Sequence, residues 1–318
     1  MNNLDFSNQK VAIIGDVMLD RYMVGQSTRK SPEADVPVLE NYTIDNRLGG
    51  AANVALNILH LGAKPFLFGV IGNDDSGSVF KEVLEANDIN SQYLITESDR
   101  KTTLKTRVMK GSEHLLRVDQ EDKHLISTSS EEKLFEALVN TANKEGIQKV
   151  ILQDYNKGVL TPSLIKRIIN FCKQSNIFVA VDPKFEHISM YKEVDLFKPN
   201  LKEVQSILNT NLDIPKDLKS MDNGIRAQLS PKYCVVTLGA KGISLSNDKE
   251  EQVFVEAEPL VTVDVCGAGD GVISFLTLAI EENVDLRELG KLSNWVGRII
   301  CSNPGVSTIK LKDLKKTP

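Results

Sequence analysis

The chain has 318 residues, of which 41% are hydrophobic and 25% charged, and a formal net charge of -5. That balance fits one large or two medium soluble globular domains and provides no field that would draw nucleic acid or an anionic membrane. Cys172, Cys234, Cys266 and Cys301 are scattered without Cys-x-x-Cys spacing or a histidine at ligand distance, which argues against a disulfide scaffold or zinc site. No basic-then-apolar leader and no run near the ~20 apolar residues of a membrane span is visible, so a soluble cytoplasmic chain is expected.

In chain order, KVAIIG (Lys10–Gly15) reads as a buried strand that ends in a polar turn at Asp16. The stretch from Arg21 to Leu48 is rich in turn formers and has no helical period, which predicts short strands and loops. GGAANVALNILHLGA then places Val54, Ile58 and Leu61 at helical spacing. KPFLFGVIGND predicts a second buried strand, and SGSVFKEVLEANDI an amphipathic helix. From Thr102 to Val118 the residues alternate as in a hairpin that turns at KGSE. Strand–helix units follow, with KVILQD, IFVAVDP, DLFKPN and YCVVTLG as strands and PSLIKRIINFCKQSN and LKEVQSILN among the helices. Such alternation predicts an α/β fold with a mostly parallel sheet covered on both faces. GISLSNDKEEQVFVEA predicts an antiparallel hairpin at the sheet edge. Two β-rich insertions, about 17–47 and 100–119, predict a small sheet standing off as a lid, the alternative being edge strands on the main sheet.

In open parallel sheets, ligands bind beyond the carboxyl ends of the strands. Five polar groups fall there: Asp16 with Asp20, Asp154 with Lys157, Asp182 with Lys184, Asn200 with Glu203, and Thr237 with Gly239. Any one of them is an ordinary turn or cap, but together they favour a site. VDVCGAGDGVISFL sharpens the point. Gly267, Ala268 and Gly269 let consecutive amides point at one place where a helix begins, which suits a phosphoryl group in flight. Asp270 beside them reads either as a helix cap or as a base for an attacking hydroxyl. In GGAANVA, Gly49 and Gly50 allow a ligand close to backbone and Asn53 offers both donor and acceptor to sugar hydroxyls, the alternative being tight helix packing.

GGAANVALNILHLGAKPFLFGVIG, KPNLKE, VVTLGAKG and DVCGAGD occur in the order and spacing of the ribokinase-like (PfkB) carbohydrate kinases, and the resemblance runs from about Lys10 to Ile309. GDVMLDRYMVGQSTRKSPEADVPVL, TIDNRLGGAANVA, TRVMKGSEHLLRVD, DYNKGVL, VDPKF and GVSTI further resemble the kinase domain of bacterial heptose-phosphate kinases. That resemblance implies ATP-dependent phosphorylation of D-glycero-β-D-manno-heptose 7-phosphate at its anomeric oxygen, in ADP-heptose synthesis for the lipopolysaccharide core. It implies Asp270 as base and Gly267, Ala268 and Gly269 as the anion hole. It assigns Asp20, Gly49, Gly50 and Asn53 to sugar hydroxyls, and Asn200 and Glu203, three apart on one helix face, to Mg²⁺ through its waters. Thr237, Gly239 and Gly242 would line the nucleotide pocket, with Asn294 near adenine. Asp264 and residues 301–307 would border a monovalent cation such as K⁺. The same family carries an adenylyltransferase domain in many members; with the chain stopping at Pro318, a single kinase domain over 1–318 is expected.

A phosphorylated sugar needs cations outside the ATP site. Arg107, Arg117, Lys157 and Lys184 are candidates, with Arg29 from the lid, each of which also reads as a solvated surface residue. Lid strands with exposed edges predict a homodimer. Two departures from the family pattern stand out: Cys266 where Thr is common, and Gly271 after the base where Thr or Ser is frequent. A nicotinamide oxidoreductase would need G-x-G-x-x-G after the first strand, where GDVMLD stands instead. A different sugar kinase and a silent sugar-binding regulator are the remaining alternatives.

Overall fold

In the computed structural model, which describes residues 4–315, the first buried run forms strand β1 (Lys10–Gly15), and the chain then leaves the main sheet at once. Strands β2 (Val17–Gln26) and β3 (Glu40–Gly50) pair antiparallel, and helix α1 (Ala51–His60) starts directly from Gly50. Strand β4 (Lys64–Gly72), helix α2 (Asp75–Ala86) and strand β5 (Leu94–Glu97) follow, then the hairpin β6 (Leu104–Lys110) and β7 (Glu113–Gln120). Helix α3 (Thr128–Glu145), strand β8 (Lys149–Gln153), helix α4 (Pro162–Gln174) and strand β9 (Phe178–Asp182) form the next units. Strand β10 (Leu196–Phe197), helices α5 (Leu201–Leu208) and α6 (Leu218–Leu229), and strand β11 (Tyr233–Thr237) continue them. The edge hairpin β12 (Ile243–Asn247) and β13 (Gln252–Val255) precedes helices α7 (Ala268–Ala279), α8 (Leu286–Cys301) and α9 (Leu311–Leu314).

The main sheet runs β13-β12-β11-β10-β9-β8-β1-β4-β5, parallel from β11 to β5 and antiparallel only at the β12 and β13 edge. Because strand residues alternate sides, β1 feeds two cores. Val11 and Ile13 pack with Ala52, Phe275 and Val296 of α1, α7 and α8, while Ala12 and Ile14 pack with Leu138, Ile168 and Ile225 of α3, α4 and α6. Helices thus cover both faces, as the alternation predicted. Among the described residues, no helix is long and apolar enough to cross a membrane.

The two β-rich insertions form a separate four-stranded sheet, β3-β2-β6-β7, rather than extra edge strands of the main one. Its strands are longer than expected: β2 has 10 residues and β3 has 11, because both prolines of this stretch, Pro32 and Pro37, fall in the link between them. Gly49 and Gly50 therefore end a strand, and Gly50 at the same time caps the start of α1. Strand pairing sets Ile44, Met23, Val108 and Leu116 in one row across the outer face, where Ile44 is 52% and Leu116 59% exposed. The opposite face carries Asp20, Tyr22 and Arg107, all buried.

The polar turn after β1 is a structural pin. Asp16 is buried, and its carboxylate accepts from the amides of Tyr155 (2.7 Å), Lys157 (3.1 Å) and Val159 (3.2 Å). Burial, with Asp154 nearby, pushes its carboxyl up to about 6. Asp154 is likewise occupied, by Tyr191 Oη and the Asn156 amide, so these two strand-end acids hold loops. Gly15 makes the β1–β8 approach possible, since a Cβ there would collide with the Gln153 carbonyl oxygen. Gly15→Ala should cost about 1–3 kcal/mol, read as a lower urea midpoint; an unchanged midpoint would show that the two strands part freely.

Candidate active site

The amino end of α7 collects the groups that the sequence singles out. Gly267 precedes the helix at φ 81°, a left-handed conformation that favours glycine, and a Cβ there would crowd Asn53 Nδ2. The Ala268 amide turns back to the Val265 carbonyl (3.3 Å), so the anion cradle rests on its neighbours rather than on all three amides. Amides in the first turn lack i−4 partners and add the positive end of the helix dipole.

Asp270 lies in that first turn and is 4% exposed. Its Oδ2 accepts from Asn53 Nδ2 at 2.7 Å, and its Oδ1 accepts from Tyr155 Oη at 2.7 Å and Gln153 Nε2 at 3.2 Å. Burial raises its carboxyl to about 7, opposed by the Asn53 and Tyr155 donors. Gln153 also donates to Asp182 Oδ2 (3.2 Å), whose Oδ1 faces buried Lys198 Nζ at 3.0 Å. Lys198 Nζ lies 3.6 Å from where Gly269 would carry a Cβ, which sets a cation beside the cradle. Tyr155, Gln153 and Lys198 escape the sequence reading, although Lys198 stands at a strand's carboxyl end in KPN, where a cation could have been sought.

A second cluster faces this one from the lid. Asp20 and Arg107 form a buried ion pair. Burial raises the Asp20 carboxyl against the pull of Arg107. Gly49 makes room for that acid, because a Cβ on it would collide with Asp20 Oδ2. The Arg107 guanidinium lies 5.0 Å over the Tyr22 ring and its Nη2 is 3.9 Å from Cys266 Sγ, which joins the lid to the segment before the cradle. Burial and Asp264 push the Cys266 thiol up to about 11, so it stays protonated and is no nucleophile. Gly271 has a packing reason: a Cβ on it would collide with Ile300 of α8.

The remaining expectations divide. Asn200 and Glu203 meet at the start of α5: Asn200 is its N-cap, accepting from the Glu203 amide at 3.0 Å, while Glu203 Oε2 accepts from the Asn200 amide at 2.8 Å. This capping box satisfies two helix-end amides reciprocally. Glu203 Oε1 pairs with Lys184, whose Nζ lies 5.5 Å over the Tyr155 ring. The set still fits Mg²⁺ held through water, since a buried carboxylate keeps further lone pairs at a helix start. Of the residues expected to line the nucleotide pocket, Gly242 at φ 110° abuts Val255, and Asn294 Nδ2 donates to the Val255 and Glu256 carbonyls (3.0 and 3.1 Å). Thr237 bridges to Asn200, and Gly239 adopts φ 61° just after it.

Asp264 spends both oxygens on amides, those of Cys266 (2.9 Å) and Gly305 (3.0 Å). The carbonyls of Pro304 and Val306 each accept from Arg47 Nη1 at 3.0 Å. A guanidinium thus already reaches two carbonyls of the 301–307 segment. Among the candidate phosphate ligands, Arg117 lies opposite Arg107 in the β6–β7 register but is exposed and paired with Asp119 (2.9 Å). Lys157 is tied to Glu121 (2.8 Å), and Arg29 to Glu40 (3.1 Å) on an exposed link.

A family model described as pfkB family carbohydrate kinase matches residues 8–313. The chain is 35% identical over 306 residues to the bifunctional protein HldE of Helicobacter pylori, covering 96% of this chain and 65% of that protein. It is 34% identical over 307 residues to the bifunctional protein HldE of Campylobacter curvus, covering 96% and 64%. The chain thus spans about 65% of the length of the curated relatives it matches. Phosphofructokinase-2 from Escherichia coli, in complex with substrates and products, shares the fold at TM-score 0.79 and 21% identity, covering 97% of this chain and 98% of that one. Ribokinase from Arabidopsis thaliana, complexed with ribose and ATP, does so at TM-score 0.72 and 17% identity, covering 97% and 98%. A mostly parallel sheet covered by helices, with a separate small sheet beside it, is the ribokinase-like fold. The chain belongs to the pfkB family of carbohydrate kinases.

If Asp270 acts as base it must be ionised, so kcat should fall as pH drops through about 7, by about tenfold per unit below it; a flat profile down to about pH 5 would contradict the assignment. Gly49→Ala should push Asp20 aside and lower kcat/KM for the sugar by about 10–10²-fold with the KM for ATP nearly unchanged. Equal losses for both substrates would point to general damage instead.

Proposed function

We propose that the chain transfers the γ-phosphoryl group of ATP to the anomeric hydroxyl of D-glycero-β-D-manno-heptose 7-phosphate, giving the 1,7-bisphosphate. The observation that carries phosphoryl transfer is Asp270, buried at the amino end of α7 within reach of the 267–269 cradle. What supports the heptose is the set of lid and loop motifs that resemble heptose-phosphate kinases, together with 35% identity to HldE over 96% of the chain.

In this reading Asp270 takes the proton of the attacking hydroxyl at Oδ2. Gly267 and Gly269, with the Lys198 ammonium, face the group in transfer and offset its charge. Asp20, the backbone of Gly49 and Gly50, and Asn53 orient the sugar, and the lid excludes water that would otherwise take the phosphoryl group. Arg107, buried on the inner lid face, leads the binding of the sugar's own phosphate, with Arg117, Lys157 and Lys184 able to swing from their present carboxylate partners. Thr237, Gly239, Gly242 and Asn294 shape the nucleotide corner. Asn200 and Glu203 would hold Mg²⁺ through water; bound there, the ion neutralises charge on the β- and γ-phosphates.

The apolar outer lid face, with β3 and β7 as its edges, suits a second copy, so a homodimer through the lid belongs to the proposal, as does a cytoplasmic location. Asp270→Asn should leave ATP binding nearly intact while turnover falls by at least ~10². A panel of heptose 7-phosphate, fructose 6-phosphate and ribose, followed by ADP release, should rank the heptose first by kcat/KM. Preference for fructose 6-phosphate or ribose would move the enzyme to another branch of its family, and no ADP formation with any of them would favour a silent sugar-binding regulator.

A further inference from the structure

Tyr155 does not belong to any role assigned above, yet its hydroxyl is one of three donors on the Asp270 carboxylate. It follows β8, and its own amide is anchored on the buried Asp16 carboxylate at 2.7 Å. Two more amides of the same loop, those of Lys157 and Val159, end on Asp16 as well. The backbone beneath the phenol is therefore fixed at three points, and the ring is flanked by Lys184 Nζ at 5.5 Å.

An ionised carboxylate has about four lone-pair positions, two on each oxygen. On Asp270, Tyr155 Oη and Gln153 Nε2 take both positions of Oδ1, and Asn53 Nδ2 takes one position of Oδ2. One acceptor position is left, on Oδ2. We propose that Tyr155 is a positioning residue for the transfer step: by saturating Oδ1 together with Gln153, it fixes the carboxylate plane and commits Oδ2 to the sugar proton. The inference rests on the reading of Asp270 as base.

Tyr155 can hold that role because it remains a donor. Burial, then the carboxylates of Asp270 and Asp182, raise its phenol well above the usual range, so it stays protonated wherever the enzyme works. Its hydrogen bond favours the ionised form of Asp270 over the neutral one. The other charged groups facing Asp270 are Asp182 at the end of β9, which opposes ionisation, and Lys198 after β10 and Lys184 after β9, which favour it. Asn53 from α1 and Gln153 from β8 are neutral donors. Loss of the phenol hydroxyl thus removes one charge-assisted donor and leaves every charge in place.

The test is Tyr155→Phe, read by ¹³C NMR titration of the Asp270 carboxyl in the sugar-free protein, with Asp270→Asn to assign the signal. The Asp270 titration should move up by about one pH unit, the size expected for one charge-assisted hydrogen bond. With ATP, Mg²⁺ and heptose 7-phosphate, the acid limb of kcat should move with it. Tyr155→Phe added to Asp270→Asn should slow turnover no further, because Tyr155 acts only through that acid. Replacing Tyr155 by 3,5-difluorotyrosine keeps the ring and strengthens the donor, so it should move the titration down, and it serves in place of the phenylalanine variant if that one does not fold. An unmoved titration, or a further loss in the Asp270→Asn background, would overturn the inference. Wild-type turnover in Asp270→Asn alone would instead sink the reading of Asp270 as base, while leaving the NMR shift to be seen.

Discussion

The whole site depends on keeping a carboxylate ionisable where water is excluded. A buried acid without partners would simply stay protonated, since removing its charge from water costs several kcal/mol. Asp270 escapes that fate through donors delivered by separate elements: Asn53 from α1, Gln153 and Tyr155 from β8 and its following loop. Lys198 adds positive charge from the end of β10. The result is an acid poised near neutral pH, which suits a base that must accept a proton during the reaction and release it afterwards.

That requirement explains features of the fold that otherwise look unrelated. Donors can converge only where β1, β8, β9 and β10 all end on one edge, and parallel pairing puts their carboxyl ends there. Asp16 uses the first of those ends to hold the loop that carries Tyr155. The lid supplies a second wall, with Asp20 and Arg107 pointing inward and Tyr22 between Arg107 and Arg47. Arg47 then reaches the 304 and 306 carbonyls, and Tyr22 Oη accepts from the Val306 amide at 2.9 Å. Gly267 lies against Val306 and Ser307, so lid and cradle are joined through that segment.

Much of this is legible in the sequence because it is written in short-range pattern. Buried runs such as KVAIIG and KPFLFGVIG have no reading but interior strands, and the glycines around Asp270 mark a close approach before any fold is known. The edge hairpin and the lid hairpin follow from alternation alone. Strand β5 is too short to carry a period, whereas α8 was open to reading, with Leu286, Leu289, Leu292, Val296 and Ile300 buried at helical spacing. The roles of individual acids are less accessible. Asp16, Asp154 and Asp270 occupy similar places at strand or helix ends, and only three-dimensional partners show that the first two hold loops while the third faces the cradle. Asn200 and Glu203 teach the same lesson, since a spacing of three suits both one helix face and a capping box. Tyr155 could not be read at all, because its value comes from a pin contributed 139 positions earlier in the chain.

The most direct test of Asp270 as the base is a crystal structure with a non-hydrolysable ATP analogue, Mg²⁺ and heptose 7-phosphate bound together. The anomeric oxygen should lie at hydrogen-bond distance from Asp270 Oδ2 and in line with a terminal phosphate resting on the amides around Gly267 and Gly269. A terminal phosphate lodged away from α7, or a sugar whose anomeric oxygen faces another acid, would contradict it.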